Sequence, residues 1–318
     1  MNTRIALALI FACGGLAATP TASADEGGVS FWMPGQYGSF VAAPGDPGWS
    51  LGVVYYHATT DADAARLFPR GGRIVAGLDA SVDLLLLAPT FVVGTPVAGG
   101  QASFGIAGYF GRVDVGTTAT FQGPRGNTFS GGLDDSLQSV GDLYPSTSLR
   151  WNHGNHSTMV YTMAGVPVGS YRADRLANLG SNHWSLDVGG GYTYLDSTKG
   201  REFSAALGVT HSWENPDTDY QNGVSAHLDW AASQFLSEAT HVGLAGYFYQ
   251  QITGDSGAGA VLGDFKSRVS GIGPQVGHFF PMGAHKGYVN FKGIYEFDAE
   301  NRPSGWNAWV TLAIPLGR

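Results

Sequence analysis

From Arg201 to Trp213 the chain changes character at every residue. Phe203, Ala205, Leu207, Val209, His211 and Trp213 fall on one side, and Glu202, Ser204, Ala206, Gly208, Thr210 and Ser212 on the other. A period of two belongs to a β-strand, whose successive side chains leave opposite faces. The pattern returns in Val224, Ala226, Leu228, Trp230 and Ala232 against Ser225, His227, Asp229, Ala231 and Ser233. It returns again in Val289, Phe291, Gly293, Tyr295 and Phe297 against Tyr288, Asn290, Lys292, Ile294 and Glu296, and in Trp306, Ala308, Val310, Leu312, Ile314 and Leu316 against Asn307, Trp309, Thr311, Ala313 and Pro315. A soluble β-sandwich also alternates. Three features weigh against it. Several segments run to about a dozen residues, beyond the usual five or six or so; their polar faces are small and rich in Gly and Ser; and tryptophans close the strand ends. Trp184, Trp213 and Trp306 are expected at the outer ends, with Trp49, Trp151, Trp230 and Tyr194 toward the others, as two aromatic girdles at membrane interfaces.

Composition is compatible with that setting. Mean hydropathy is -0.02, and the longest apolar run after the N-terminus, residues 84–93, contains Pro89 and is too short for a transmembrane helix. A near-neutral average suits strands that turn one face to lipid and the other to a lumen. The formal net charge of -8 gives no basic face, so no nucleic-acid partner is expected.

The N-terminus reads as a secretory signal: Arg4 is the positive region, residues 5–12 the apolar region, and Ala22-Ser23-Ala24 the cleavage site, which starts the mature chain at Asp25. A lipoprotein signal at Cys13 is disfavoured by the bulky Phe11 just before it. Removing residues 1–24 takes away the single cysteine and with it thiol, disulfide and zinc-thiolate chemistry.

Twelve strands are expected, at 49–58, 72–92, 101–121, 136–151, 156–168, 182–196, 201–213, 222–234, 240–252, 265–279, 287–298 and 304–316. Longer polar connections at 59–71, 122–135, 169–181, 214–221 and 253–264 would lie outside, shorter turns and both termini inside. The fold class is all-β: a closed antiparallel transmembrane β-barrel, 49–318, behind a short N-terminal segment, 25–48. In that segment Val29, Phe31, Trp32, Met33, Tyr37, Phe40 and Val41 crowd apolar groups among prolines and glycines that forbid regular structure. Such a patch is costly in water. Residues 27–48 are expected to fold back into the periplasmic part of the barrel as a plug formed by Phe31, Trp32, Met33, Tyr37 and Phe40; the alternative is a flexible periplasmic tail.

The stretches FWMPGQYGS at 31–39, PGWS at 47–50, VYYH at 54–57, NLGSN at 178–182 and NPDTDY at 215–220 together resemble the phenol meta-pathway-associated outer-membrane transporter family, including its sphingosine-inducible members. The resemblance runs over almost the whole mature chain. Members of that family are channels for hydrophobic or aromatic small molecules, so the resemblance implies a bacterial outer-membrane channel and not a particular substrate; the expected function is passive diffusion of small hydrophobic or aromatic compounds, with no enzymatic activity and no cofactor. The partners implied are outer-membrane lipids and lipopolysaccharide, the barrel-assembly machinery and a small hydrophobic solute. One departure is the C-terminus, Ile314-Pro315-Leu316-Gly317-Arg318, where many outer-membrane barrels end on Phe or Trp. A structural or adhesive barrel without transport is the alternative, and an outer-membrane lipid hydrolase a more distant one.

The alternation assigns Asp79, Asp83, Arg150, Asp187, Glu202, His227, Asp229, Lys266, Arg268, Lys292 and Glu296 to the lumen, where charges of both signs escape lipid. A basic residue facing the bilayer midplane costs about 2–4 kcal/mol. These groups would form a polar constriction or simply pair and stiffen a narrow barrel. His153-Gly154-Asn155-His156 reads as a solvated turn with no third ligand for a metal, the acidic loop at 214–220 as a solvated outer loop, and Gly189-Gly190-Gly191 as relief of crowding inside a strand. His211 and His241 are the histidines a lipid hydrolase would use, but no nucleophile elbow or Ser-x-x-Lys accompanies them.

Overall fold

The computed structural model describes residues 30–70, 73–122, 128–261, 263 and 266–317; the signal-sequence reading therefore lies outside the described residues. Twelve antiparallel strands close into one barrel, each paired with its sequence neighbours and the first with the last. They are β1 Gly48–Arg70, β2 Arg73–Val92, β3 Gln101–Gln122, β4 Thr128–His153, β5 His156–Gly165, β6 Ser185–Asp196, β7 Arg201–Ser212, β8 Ser225–Phe235, β9 Thr240–Gln251, β10 Arg268–Met282, β11 His285–Glu300 and β12 Ser304–Gly317. Closure runs through the β1–β12 ladder, from Ser50 opposite Pro315 to Asp61 opposite Ser304, so no strand edge is left for lipid to meet.

The period of two is visible as burial. In β7, Glu202, Ser204, Ala206, Gly208, Thr210 and Ser212 are buried while Phe203, Leu207 and Val209 are exposed. A soluble sandwich would have the opposite accounting. Here Leu207, Val209, Phe248, Phe291, Tyr295 and many other large apolar side chains are exposed, which only a lipid surround makes inexpensive. Glycines let the crowded interior close. A Cβ on Gly208 would lie 2.3 Å from the Tyr161 hydroxyl and 2.6 Å from His227, and one on Gly189 would lie 2.6 Å from the same hydroxyl.

Two expected outer loops are strand instead. Residues 59–70 continue β1, and 128–135 continue β4, so the β1–β2 and β3–β4 hairpins rise past the rest of the wall. Their ladder bonds need no apolar face once the strands leave the bilayer, which is why polar composition there misreads as loop.

The connection 166–184, expected among the long outer loops, folds back onto the inward side of β3 and β4. Asp142, in an irregularity of the β3–β4 ladder, accepts hydrogen bonds from the Gly169 and Ser181 N–H groups and from the Ser181 hydroxyl. Asp135 receives the Arg175 guanidinium at 2.7 Å and the Leu176 and Ala177 N–H groups, and Tyr109 donates its hydroxyl to the Leu179 carbonyl at 2.5 Å. Leu176, Ala177 and Leu179 join one buried cluster with Phe31, Trp32, Tyr109 and Tyr144.

Candidate functional site

The candidate site is the filled lumen. Residues 30–48 carry no strand until β1 begins, and their backbone polar groups are satisfied by inward side chains of the wall. Asp229 of β8 accepts the Gly35 N–H at 2.9 Å and the Tyr37 N–H at 3.0 Å. Lys292 of β11 donates to the carbonyls of the same two residues, at 2.6 and 3.2 Å. One acid and one base thus grip the donors and acceptors of one short stretch. Lower down, Glu202 accepts the Phe40 N–H and the Ser39 hydroxyl, Thr193 accepts the Ala42 N–H, Gln101 exchanges two bonds with Gly45, and Asp46 reaches His285 at 3.0 Å.

Aromatic packing fixes the same segment at two levels. Trp32 stacks on His227 with ring centroids 3.4 Å apart, and Tyr37 meets both Trp32 and Tyr161 edge-on. Nearer the terminal end, Phe40 enters a cup of Phe235, His241, Phe279 and Tyr288, with centroid distances between 5.3 and 6.1 Å. The backbone of Phe40 is left-handed, with φ 67°. A bulky residue adopts that region at a cost, which the socket and the Glu202 bond offset.

Behind Trp32, the fully buried Asp187 accepts the Thr210 hydroxyl at 2.6 Å and contacts His227 Nε2 at 2.9 Å. Glu296 accepts the Tyr247 hydroxyl and the Gly305 N–H. Arg150 reaches Ser103 and Ser148 and lies 3.5 Å from the Val41 carbonyl. These six charged groups, Arg150, Asp187, Glu202, Asp229, Lys292 and Glu296, and His227 with them, face inward.

Four expected lumen residues do not. Asp79 and Asp83 sit on the outward face of β2, because Leu78, Leu84 and partly Val82 take the inward positions. Asp83 there accepts from the Tyr55 hydroxyl and contacts His57 Nδ1 at 2.8 Å. The run Leu84 to Leu87 is apolar on both faces, so it carries no alternation from which to set register. Lys266 is exposed in the connection before β10, its carbonyl bonded to Asn301. Arg268 faces outward at the strand end, pairing with Asp298 and Glu300 at 3.2 Å each, where the β10–β11 register shifts. His241, considered beside His211 as a lipid-facing histidine, is wholly buried on the inward side, bonded to the Tyr288 hydroxyl; His211 packs on Trp213.

Around the wall, Trp49, Trp184, Trp213 and Trp306 are about half exposed, and Trp151 and Trp230 are partly buried. The His153–His156 turn is exposed, with Gly154 at φ 68°, and no cluster of metal-binding side chains occurs among the described residues.

The segment leaves a cavity of about 100 Å³ above it, on the side of β1–β3. Trp32, Met33 and Pro34 form its floor; Tyr56, Ala58, Leu78, Ala80, Val82 and Val113 its wall; Arg302 and Pro303 its rim. On the far side of Trp32 the lumen is hydroxyl-lined, by Thr210, Ser212, Ser225 and Ser267. A larger open groove of about 960 Å³ runs past Asp61, Asp79, Asp114, Asp134, Tyr295 and Trp306, but its acids and its openness suit neither an apolar solute nor passage through the wall. The apolar cavity was not legible beforehand: Arg302 reads as a turn residue, and the wall positions of β2 lie where the register is silent.

The family model described as "Putative MetA-pathway of phenol degradation" matches residues 64–312. Among solved structures, the COG4313 outer membrane channel from Pseudomonas putida F1 superposes with a TM-score of 0.68 at 18% identity, over 86% of this chain and 97% of that one. A FadL homologue of Pseudomonas aeruginosa gives 0.42 at 8% identity, over 93% and 98%, and the translocator domain of the Neisseria meningitidis autotransporter NalP 0.44 at 9%, over 86% and 91%. Among curated proteins no sequence matches.

Proposed function

The chain belongs to the MetA-pathway phenol-degradation family and has the fold of an outer-membrane channel, and from that premise we propose that it admits small hydrophobic or aromatic solutes by passive diffusion, with residues 30–48 as a plug that excludes larger and more hydrated permeants. The observation that carries the reading is the seated segment itself. Its backbone is bound by wall side chains at five levels, from Gly35 to Gly45, and its upper surface, Trp32 and Met33, floors an apolar cavity. A water-filled pore would favour hydrated solutes; an apolar station in a narrowed lumen favours molecules that lose little on leaving water. The role is not enzymatic, and the inward charges act as ligands of the segment and as lining of the constriction.

The test is uptake of a hydrophobic aromatic solute and of a small sugar by liposomes carrying the full-length protein or a form lacking residues 27–46. The full-length protein should pass the aromatic solute in preference to the sugar, and the shortened form should pass both. Equal permeability of the two forms to both solutes would end the plug reading.

A further inference from the structure

We propose that the cavity above Trp32 binds a neutral, apolar molecule about one ring in size through a single hydrogen-bond-accepting oxygen, with Arg302 as its polar anchor. The inference rests on the channel reading only in taking this cavity as a station on the solute's path.

The size follows from the cavity. A space of about 150 Å³ lined by hydrocarbon holds benzene, so about 100 Å³ limits the occupant to one ring at most. The polarity follows from two donors. The Nε of Arg302 and the Nε1 of Trp32 are buried and have no acceptor among the described residues, and both residues line this cavity. The rest of the lining is largely hydrocarbon, with Ser30, Tyr56 and Thr60 its hydroxyl-bearing members. A buried donor without a partner is costly, so a ligand bringing an acceptor gains more than its apolar surface alone would give, and a pure hydrocarbon leaves the donor unmet.

The absence of charge on the ligand follows from the neighbours of the guanidinium. Arg302 Nη2 lies 3.8 Å from Glu296 Oε1, and its guanidinium carbon lies 5.5 Å over the Tyr249 ring. Its charge is already compensated. A carboxylate ligand would have to approach Glu296. Like charges there oppose entry. An oxygen of a ketone, ether, ester or hydroxyl meets no such opposition.

The experiment titrates the full-length protein in detergent micelles with cyclohexanone, methylcyclohexane and cyclohexanecarboxylate, three probes of similar size, read by ligand-observed saturation-transfer NMR and corrected for partition into protein-free micelles. Cyclohexanone should bind at least about tenfold more tightly than methylcyclohexane, about 1.4 kcal/mol, and cyclohexanecarboxylate should bind most weakly. Arg302→Met should cut the first ratio severalfold, the Trp32 donor remaining, and Val82→Trp, which fills the cavity, should abolish binding of all three. Should Arg302→Met fail to assemble, judged by the heat-dependent mobility shift of folded barrels, Arg302→Lys, which keeps the charge and displaces the donor, should still cut the ratio severalfold. An unchanged ratio in either Arg302 variant, a carboxylate that binds most tightly, or undiminished binding in Val82→Trp overturns the proposal. The two readings fail separately. Solute flux without this order of binding removes the anchor and leaves the channel, whereas the order of binding without flux supports the anchor and removes the channel.

Discussion

At the scale of single residues, the inward charges do their work by holding main chain. Asp229 and Lys292 are both buried, and each is satisfied by the backbone of Gly35 and Tyr37. Removing one partner of a buried charge set typically costs about 3–5 kcal/mol, because the other is left uncompensated. Asp229→Ala should therefore loosen residues 30–48 while the wall ladders persist. Planar-bilayer recording should show larger conductance steps and more frequent gating than in the native protein, with the heat-dependent mobility shift retained; native-like conductance would return Asp229 to a purely space-filling role. Gly208 tests the packing behind it. A methyl there would press on Tyr161 and on His227, which is itself stacked against Trp32. Gly208→Ala should cost about 1–3 kcal/mol, read as a lower thermal midpoint together with a changed near-ultraviolet circular dichroism of the tryptophans.

Among the elements, the connection 166–184 is held against β3 and β4 by Asp142, Asp135 and Tyr109. Asp142 gathers three donors from Gly169 and Ser181, and hydrogen bonds to a charged acceptor are worth about 1.5–3 kcal/mol each. Asp142→Ala should release the connection from β3 and β4 and expose the bonds after Arg172 and Arg175 to trypsin. Cleavage there should accelerate by at least tenfold over the native protein in micelles; an unchanged rate would mean that Asp135 and Tyr109 hold the connection alone. The NLGSN stretch that stands out in the sequence belongs to this element: Asn178 bonds to the Arg172 N–H and to the Arg172 and Arg175 carbonyls, and Leu179 and Gly180 pack inward. A polar, irregular stretch between two strands carries no mark that it turns into the barrel and not away from it.

For the whole molecule, the decisive relation is between the wall and lipid. Of the eight tryptophans, Trp32 and Trp309 are buried in the interior and the other six stand on the outer surface, where indole prefers the interface for its apolar ring and its single donor. In vesicles, lipids brominated near the headgroup should quench the fluorescence of Trp184, Trp213 and Trp306, each kept as the sole outer tryptophan, more strongly than lipids brominated near the chain ends. The reverse order at two of the three would displace the membrane belt. Strand number, closure and the inward set of β6–β8 and β11 were all legible from the residues, because alternation is local and each of those strands states its own register. The charges of β2 and of the β10 entry were not, because Leu84 to Leu87 is apolar on both faces and Arg268 sits where the ladder shifts.

The sequence by itself determined that this chain makes alternating strands, that their length, their small polar faces and the tryptophans at their ends favour a barrel over a sandwich, and that the segment before β1 carries apolar groups costly to leave in water. Those are consequences of side-chain polarity at spacings of one and two residues. Only the tertiary structure decided what the segment's backbone would bind, which donors would be left over at Arg302 and Trp32, and where the apolar cavity would lie. Each of these joins residues roughly 20 to 270 positions apart, and such a meeting is set by barrel closure and strand register, not by any pattern along the chain.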